Sequence, residues 1–282
     1  WMQWNSERRL ITKEGTMRRA IKSADTFNTY LSALIRATKE NGEEWYPTIH
    51  LNQVKKRINR QYRKGTKRKL PIFVSMIDGM EQGKVLDVEN MEELQSITIL
   101  LLSVFGLLRI SEILNLEWGD LKEENIWSTD IQGNGKMTKI MTVTLRDTKT
   151  IRWNDGLPEH TVVCERNNFA KKGQGKWDPL KMLRRMWSIR SRSVISERSR
   201  KIFDLKRNRY TKILRRSLER IGIKSGAYST HSGRIGGATM LWEGGASDAE
   251  IKELGRWRSD TWKIYCRQVK SKCLKLAAII CG

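Results

Sequence analysis

Side chains spread from residue 109 to residue 265 could together attack a phosphodiester without a metal. They are Arg109 in GLLRISEIL, Lys149 in LRDTKT, His231 and Arg234 in STHSGRIGG, and Tyr265 in RSDTWKIYCR. A tyrosine oxygen can be the nucleophile at phosphorus. Two arginines can hold the non-bridging oxygens as charge develops on them. A lysine or histidine can protonate the leaving oxygen. A phenol is a poor nucleophile at its ordinary pKa, so Tyr265 needs cationic neighbours and a positioned proton acceptor. Arg109, His231, Arg234 and Arg256 could supply that field.

Each residue also has a plainer reading. Arg109 lies in what reads as an apolar helix, and Glu112 shares its face at i, i+3, so the two could form an ordinary salt bridge. Alternatively, Glu112 fixes an arginine aimed at phosphate. His231 and Arg234 are also at i, i+3, so one helical turn would present both to one point, with Ser229 or Thr230 as its cap. HxxR alone is a weak motif. Tyr265 could be a core residue packed on Trp262, one turn earlier. Lys149 follows the strand-like MTVTL, and Lys136, Lys139 and Arg152 compete with it. Order and spacing add weight: Arg234 follows Arg109 by 125 residues (234 − 109) and Tyr265 follows Arg234 by 31 (265 − 234).

With these pieces in order, residues 69–267 resemble the tyrosine recombinase (phage integrase) superfamily. The resemblance implies a two-domain, C-shaped DNA clamp with an integrase-like catalytic domain. It implies cleavage to a 3′-phosphotyrosine and a free 5′-hydroxyl, then rejoining, for integration, excision or transposition of a mobile element. Neither metal nor cofactor is implied. Arg109, Lys149, His231, Arg234 and Tyr265 fill the family's catalytic positions, with Lys149 at a hairpin tip. One position departs: nine residues before the tyrosine the family usually has His or Trp, and here stands Arg256, followed by Trp257. Arginine is also a permanent donor; a one-residue shift would bring in Trp257 instead. GRWRSD…Y resembles the eukaryotic crypton and DIRS-like branch. Synapsis in the family implies a dimer to tetramer on DNA. Rival readings are a type IB topoisomerase-like enzyme, a domesticated DNA-binding protein that no longer cuts, and a basic RNA-binding protein.

The elements that must position these residues read as mainly α with a small antiparallel β-sheet. Residues 17–64 read as helical, with apolar positions at Ala20, Ile21, Ala24, Phe27, Tyr30, Leu31 and Leu34. A second helix over 50–63 carries Lys55, Lys56, Arg60 and Arg63. With Lys64, Lys67, Arg68 and Lys69 these form the candidate DNA-binding set. The expected organisation is a helical core-binding domain over 1–66, a basic linker over 67–70 and a catalytic domain over 71–282. Residues 88–121 read as a pair of helices. Strands are expected over 139–145 and 160–165, and helices over 178–191 and 209–223. SDAE at 247–250 matches a capping box, with Gly255 as the helix stop. The tail repeats apolar residues at Val269, Cys273, Leu276, Ala277 and Ile280, an amphipathic stripe that docks on its own domain or on a neighbouring protomer.

Composition agrees with a polyanionic partner, DNA or RNA first, and the resemblance implies double-stranded DNA. There are 54 Lys+Arg against 31 Asp+Glu, a formal charge of +23. A hydrophobic content of 39% excludes a disordered basic tail. Cys164, Cys266, Cys273 and Cys281 form no CxxC pair and are read as free thiols in a reducing compartment. The longest apolar run, residues 97–108, is too short to span a bilayer. The expected location is intracellular: the nucleus if eukaryotic, otherwise the cytoplasm or nucleoid. Trp1 is not a natural start, so the chain is expected to begin inside a longer protein.

Overall fold

The computed structural model describes residues 9–11, 17–19, 24–42, 49–62, 68–129, 135–146, 159–164, 177–192 and 201–264. The chain divides into two compact units, Trp1–Lys67 and Arg68–Gly282.

In the first unit a short antiparallel pair, β1 (Arg9–Ile11) and β2 (Met17–Arg19), precedes helices α1 (Ala24–Glu40) and α2 (Ile49–Tyr62). The expected helix therefore starts later, and Met17–Arg19 is a strand. Phe27, Leu31 and Ile58 form a small core between the two helices. Of the expected apolar face, Tyr30 and Leu34 are exposed, because two helices this short cover only one narrow stripe. On α2, Lys55, Lys56, Arg57 and Arg60 all face solvent.

In the second unit α3 (Val74–Gln82) precedes α4 (Met91–Phe105), the helix around which the unit is built, buried along residues 94–104. A helix buried all round belongs at the centre of a core, and here it packs against α6 (Pro179–Arg192), α7 (Arg207–Arg220) and α8 (Ser232–Glu243). Asn90 starts it, accepting from the backbone N–H groups of Glu92 and Glu93. On α7, Tyr210, Ile213, Leu214 and Leu218 are buried as their spacing requires. Helix α8 approaches so closely that a Cβ on Gly236 would lie 1.8 Å from the Ile72 carbonyl oxygen, and one on Gly237 2.2 Å from that of Val104.

A three-stranded antiparallel sheet in the order β3 (Leu121–Thr129), β4 (Gly135–Leu145), β5 (Glu159–Cys164) flanks the helices. Met141, Val143 and Leu145 turn one face of β4 inward. The first strand was not expected, since LKEENIWST lacks alternation. It is held to α6 by a two-pronged contact of Arg184 on Glu123, at 2.9 Å for each prong.

Residues 68–70, expected as linker, belong to the second unit. Lys69 donates to the Gly226 carbonyl at 3.1 Å, Leu70 to Ala227 at 2.9 Å and Ile72 to Ser232 at 3.0 Å. This strap runs beside the segment that carries His231. Arg63, Lys64, Lys67 and the tail stripe lie outside the described residues. Among the described residues no helix is long and apolar enough to cross a membrane.

Candidate active site

Arg109 is not inside a helix. After α4 the chain breaks at Gly106, and Leu107 takes a left-handed conformation with φ of 48°. Arg109 then caps α5 (Ile110–Leu114) in extended geometry. Glu112, at the third position of that helix, accepts from the Arg109 backbone N–H at 2.7 Å and forms a short ion pair with its guanidinium. The apolar run conceals this break because no proline or polar cluster marks it.

The Glu112 carboxylate also accepts from Arg256 at 2.9 Å. Arg256 follows α9 (Asp248–Gly255), in the left-handed conformation with φ of 54°. Helix α9 begins with the expected capping box, Ser247 accepting from the Glu250 N–H and Glu250 from that of Ser247. The stop falls one residue later than expected, at Arg256, and Gly255 is the last helical residue, where a Cβ would meet the Trp257 ring at 1.7 Å. Side chains of Arg109, Glu112 and Arg256 are 18%, 1% and 6% exposed. Burial pushes the Glu112 pKa up. The charge of Arg256, the Arg109 backbone N–H and the Arg109 guanidinium outweigh it and hold the carboxyl below its ordinary value.

Arg234 lies deeper, at 1% exposure. Its guanidinium donates short hydrogen bonds to the carbonyls of Leu107 and Gly255, and stacks 4.3 Å over Trp257. Arg256 also reaches the Leu107 carbonyl, at 3.3 Å. The residue expected to grip phosphate thus braces the turn before Arg109 and the turn before Arg256. Trp257 serves as its platform.

His231, rather than the expected Ser229 or Thr230, occupies the N-cap position of α8, without a side-chain capping bond, and it is exposed, so it shares a turn with Arg234 but not a depth. Ser229 acts beside it, its hydroxyl accepting from the His231 N–H at 3.3 Å. Partial burial of the ring lowers the His231 pKa, and the positive charges of Arg207, Arg234 and Arg109 lower it further. The three arginines come from three different elements and bear on one imidazole. Arg207 had no signal in the sequence, where it is one cation among many. Leu107 was also not foreseen, its role resting on a carbonyl rather than a side chain.

A second small core of Leu107, Ala238, Ile251, Trp257 and Trp262 underlies these groups. Trp262 is buried in a short 3₁₀ turn, Asp260–Ile264, three residues before Tyr265. Tyr265 and Lys149 lie outside the described residues. Lys149 falls in the sequence between β4 and β5, whereas its rivals Lys136 and Lys139 are within β4. Among the described residues, no three His, Cys, Asp or Glu side chains are grouped to hold a metal ion.

Residues 77–271 match the phage integrase family, and the chain belongs to that family, within the tyrosine recombinase superfamily. Among solved structures, its fold is similar to that of XerH site-specific recombinase bound to palindromic difH substrate in a post-cleavage complex. The TM-score is 0.53 at 15% identity, over 78% of this chain and 55% of that one. XerA recombinase gives 0.50 at 13%, over 90% and 81%. The Tn1549 transposon integrase in complex with circular intermediate DNA gives 0.50 at 14%, over 90% and 79%. The chain therefore spans little more than half the XerH chain of that complex. At these identities the likeness is one of fold. No curated protein sequence matches.

Proposed function

We propose that this chain cuts and rejoins duplex DNA at specific sites through a 3′-phosphotyrosine on Tyr265, moving a mobile element by integration, excision or transposition. The observation that carries the reading is the cluster in which Glu112 holds Arg109 and Arg256 together and Arg234 braces the turns before both, with His231 at the head of the helix that carries Arg234. In the proposed step the Tyr265 oxygen bonds to phosphorus as the bond to the 5′ oxygen breaks. His231, whose pKa is lowered by burial and by nearby arginine charge, accepts the phenol proton. Lys149 donates a proton to the departing 5′ oxygen. Arg109 and Arg256 stabilise the charge on the non-bridging oxygens, and Arg234, carried between them, completes the cationic wall. No metal enters the reaction.

The exposed cations of α2, with Lys55, Lys56 and Arg60, and the run Arg63, Lys64, Lys67, Arg68 and Lys69, track the DNA backbone. Lys69 does so from a position tied to Gly226. The first unit is the core-binding domain. Dimers to tetramers assemble on DNA through the tail after Tyr265, within the nucleus of a eukaryote or the nucleoid of a prokaryote. Gly255, Arg256 and Trp257 support the crypton and DIRS-like branch.

The test is a nicked suicide substrate made from the ends of the element. An SDS-resistant protein–DNA adduct, formed equally in EDTA, is expected. Absence of any adduct with bound DNA would identify a protein that binds without cutting. An adduct with supercoil relaxation and no strand exchange would identify a topoisomerase-like enzyme.

A further inference from the structure

Arg207 opens α7 from a rigidly held approach. The buried Gln95 of α4 accepts the backbone N–H groups of Asp204 and Leu205, each at 3.1 Å, and Ile202 donates to the Leu116 carbonyl at 3.0 Å. Ile202, Phe203 and Leu205 are buried behind it. The Arg207 side chain then crosses to the Thr230 hydroxyl at 3.3 Å, immediately before His231. Thr230 is itself buried, so the contact has a fixed anchor.

Two other arginines of this helix are neutralised by carboxylates, and two more, Arg215 and Arg220, donate to the backbone carbonyls of Tyr228, at 3.4 Å, and Val85, at 2.9 Å. Arg209 is bound to Glu92, and Arg216 forms a short ion pair with Glu93. Among the described residues, Arg207 pairs with no carboxylate. The buried carboxylate of the site, Glu112, is already shared by Arg109 and Arg256. A guanidinium held on the Thr230 hydroxyl, one residue before His231, with no carboxylate to balance it is unfavourable in the free protein. A bound anion relieves it.

We propose that Arg207 is a phosphate ligand of the DNA strand, a further binding residue of this site that takes a backbone phosphodiester beside the one that is cut. The inference rests on the recombinase reading. The lowered pKa of His231, to which burial contributes most and the Arg207 charge next, accords with a side chain aimed at that point. Arg207 offers a planar fork that suits the two non-bridging oxygens of a diester.

The experiment uses the full chain and a short DNA duplex of arbitrary sequence, with affinity measured over a range of salt concentrations. Arg207→Gln removes the charge and keeps a donor for Thr230. Arg207→Lys keeps the charge. The slope of log affinity against log salt should fall by about 0.9 in the Gln variant, the value of one phosphate contact. The Lys variant and Arg209→Ala should keep the slope of the parent, the latter because Glu92 already neutralises Arg209. A Gln variant that folds and retains the parent slope overturns the proposal, since a purely structural arginine would weaken folding without changing counterion release. In parallel, adduct formation by the parent chain on the suicide substrate reports on the recombinase reading alone. A reduced slope with no adduct sinks that reading and leaves Arg207 as a phosphate ligand. An adduct with an unchanged slope does the reverse.

Discussion

Arg109 and Arg256, 147 residues apart (256 − 109), meet on one carboxylate, that of Glu112. One oxygen takes the Arg109 guanidinium and the other takes Arg256 at 2.9 Å and the Arg109 backbone N–H at 2.7 Å. A single buried anion therefore sets the separation of two candidate phosphate donors.

Replacing that anion tests this arrangement. Glu112→Gln should destabilise the fold by about 3 kcal/mol, as breaking a buried ion pair does, and adduct formation should fall more steeply than DNA binding. The sign with pH follows from the depressed folded-state pKa. The Glu112 contribution is present above the unfolded value, near the ordinary 4.5, and is lost as pH falls through the lower folded value. Thermal unfolding between pH 6 and strong acid should show a shallower decline in the Gln variant. Equal declines in parent and variant would contradict the shared-anion role.

His231 should titrate below its ordinary 6.5, and this is measurable by NMR of its ring protons. Because the folded pKa is depressed, the native state loses stability as pH falls through the unfolded value toward the folded one. Adduct formation should fall over the same acid range as the imidazole ceases to accept a proton. A midpoint above 6.5 would count against the convergence of the three arginines.

Arg234→Lys keeps a charge but not a fork. A lysine cannot bridge the Leu107 and Gly255 carbonyls while lying over Trp257. Leaving one carbonyl unsatisfied should cost about 1–3 kcal/mol, and cleavage should drop roughly a hundredfold or more. Chemical denaturation and single-turnover cleavage separate the two effects. Parent-like values for both would show that the bridge is dispensable.

Gly236→Ala should disturb the site from a distance. The added methyl group would meet the Ile72 carbonyl, a backbone atom that cannot rotate away. A loss of roughly 1–3 kcal/mol is expected from overpacking, read as a lower urea midpoint. An unchanged midpoint would mean that α8 and the 70–72 strap are not in tight contact.

Tyr265→Phe keeps the ring and removes the oxygen proposed as nucleophile. DNA binding should persist while the SDS-resistant adduct disappears. An adduct that survives in the Phe variant would place the nucleophile elsewhere.

Much of this site was legible from side chains whose job depends on local spacing. The Ser247 capping box, the buried face of α7 and the pairing of Arg109 with Glu112 follow from offsets of three or four residues. What was not legible depends on distant partners. The break before Arg109 is fixed by Leu107, whose carbonyl is held by Arg234 and Arg256 from far along the chain. Within the apolar run only Gly106 marks such a break. Strand β3 gains its identity from pairing with β4, not from its own polar sequence. Likewise Met17–Arg19 pairs as a strand where helical periodicity had been extended through it.

The strap at residues 69–72 has a practical meaning for exchanging modules. Its backbone is hydrogen-bonded to Ala227 and Ser232, on either side of His231. Anyone grafting a foreign DNA-binding head onto this catalytic unit should place the seam before Arg68. A seam cut after Ile72 would strip the histidine segment of its lateral support and would be mistaken for an incompatible head.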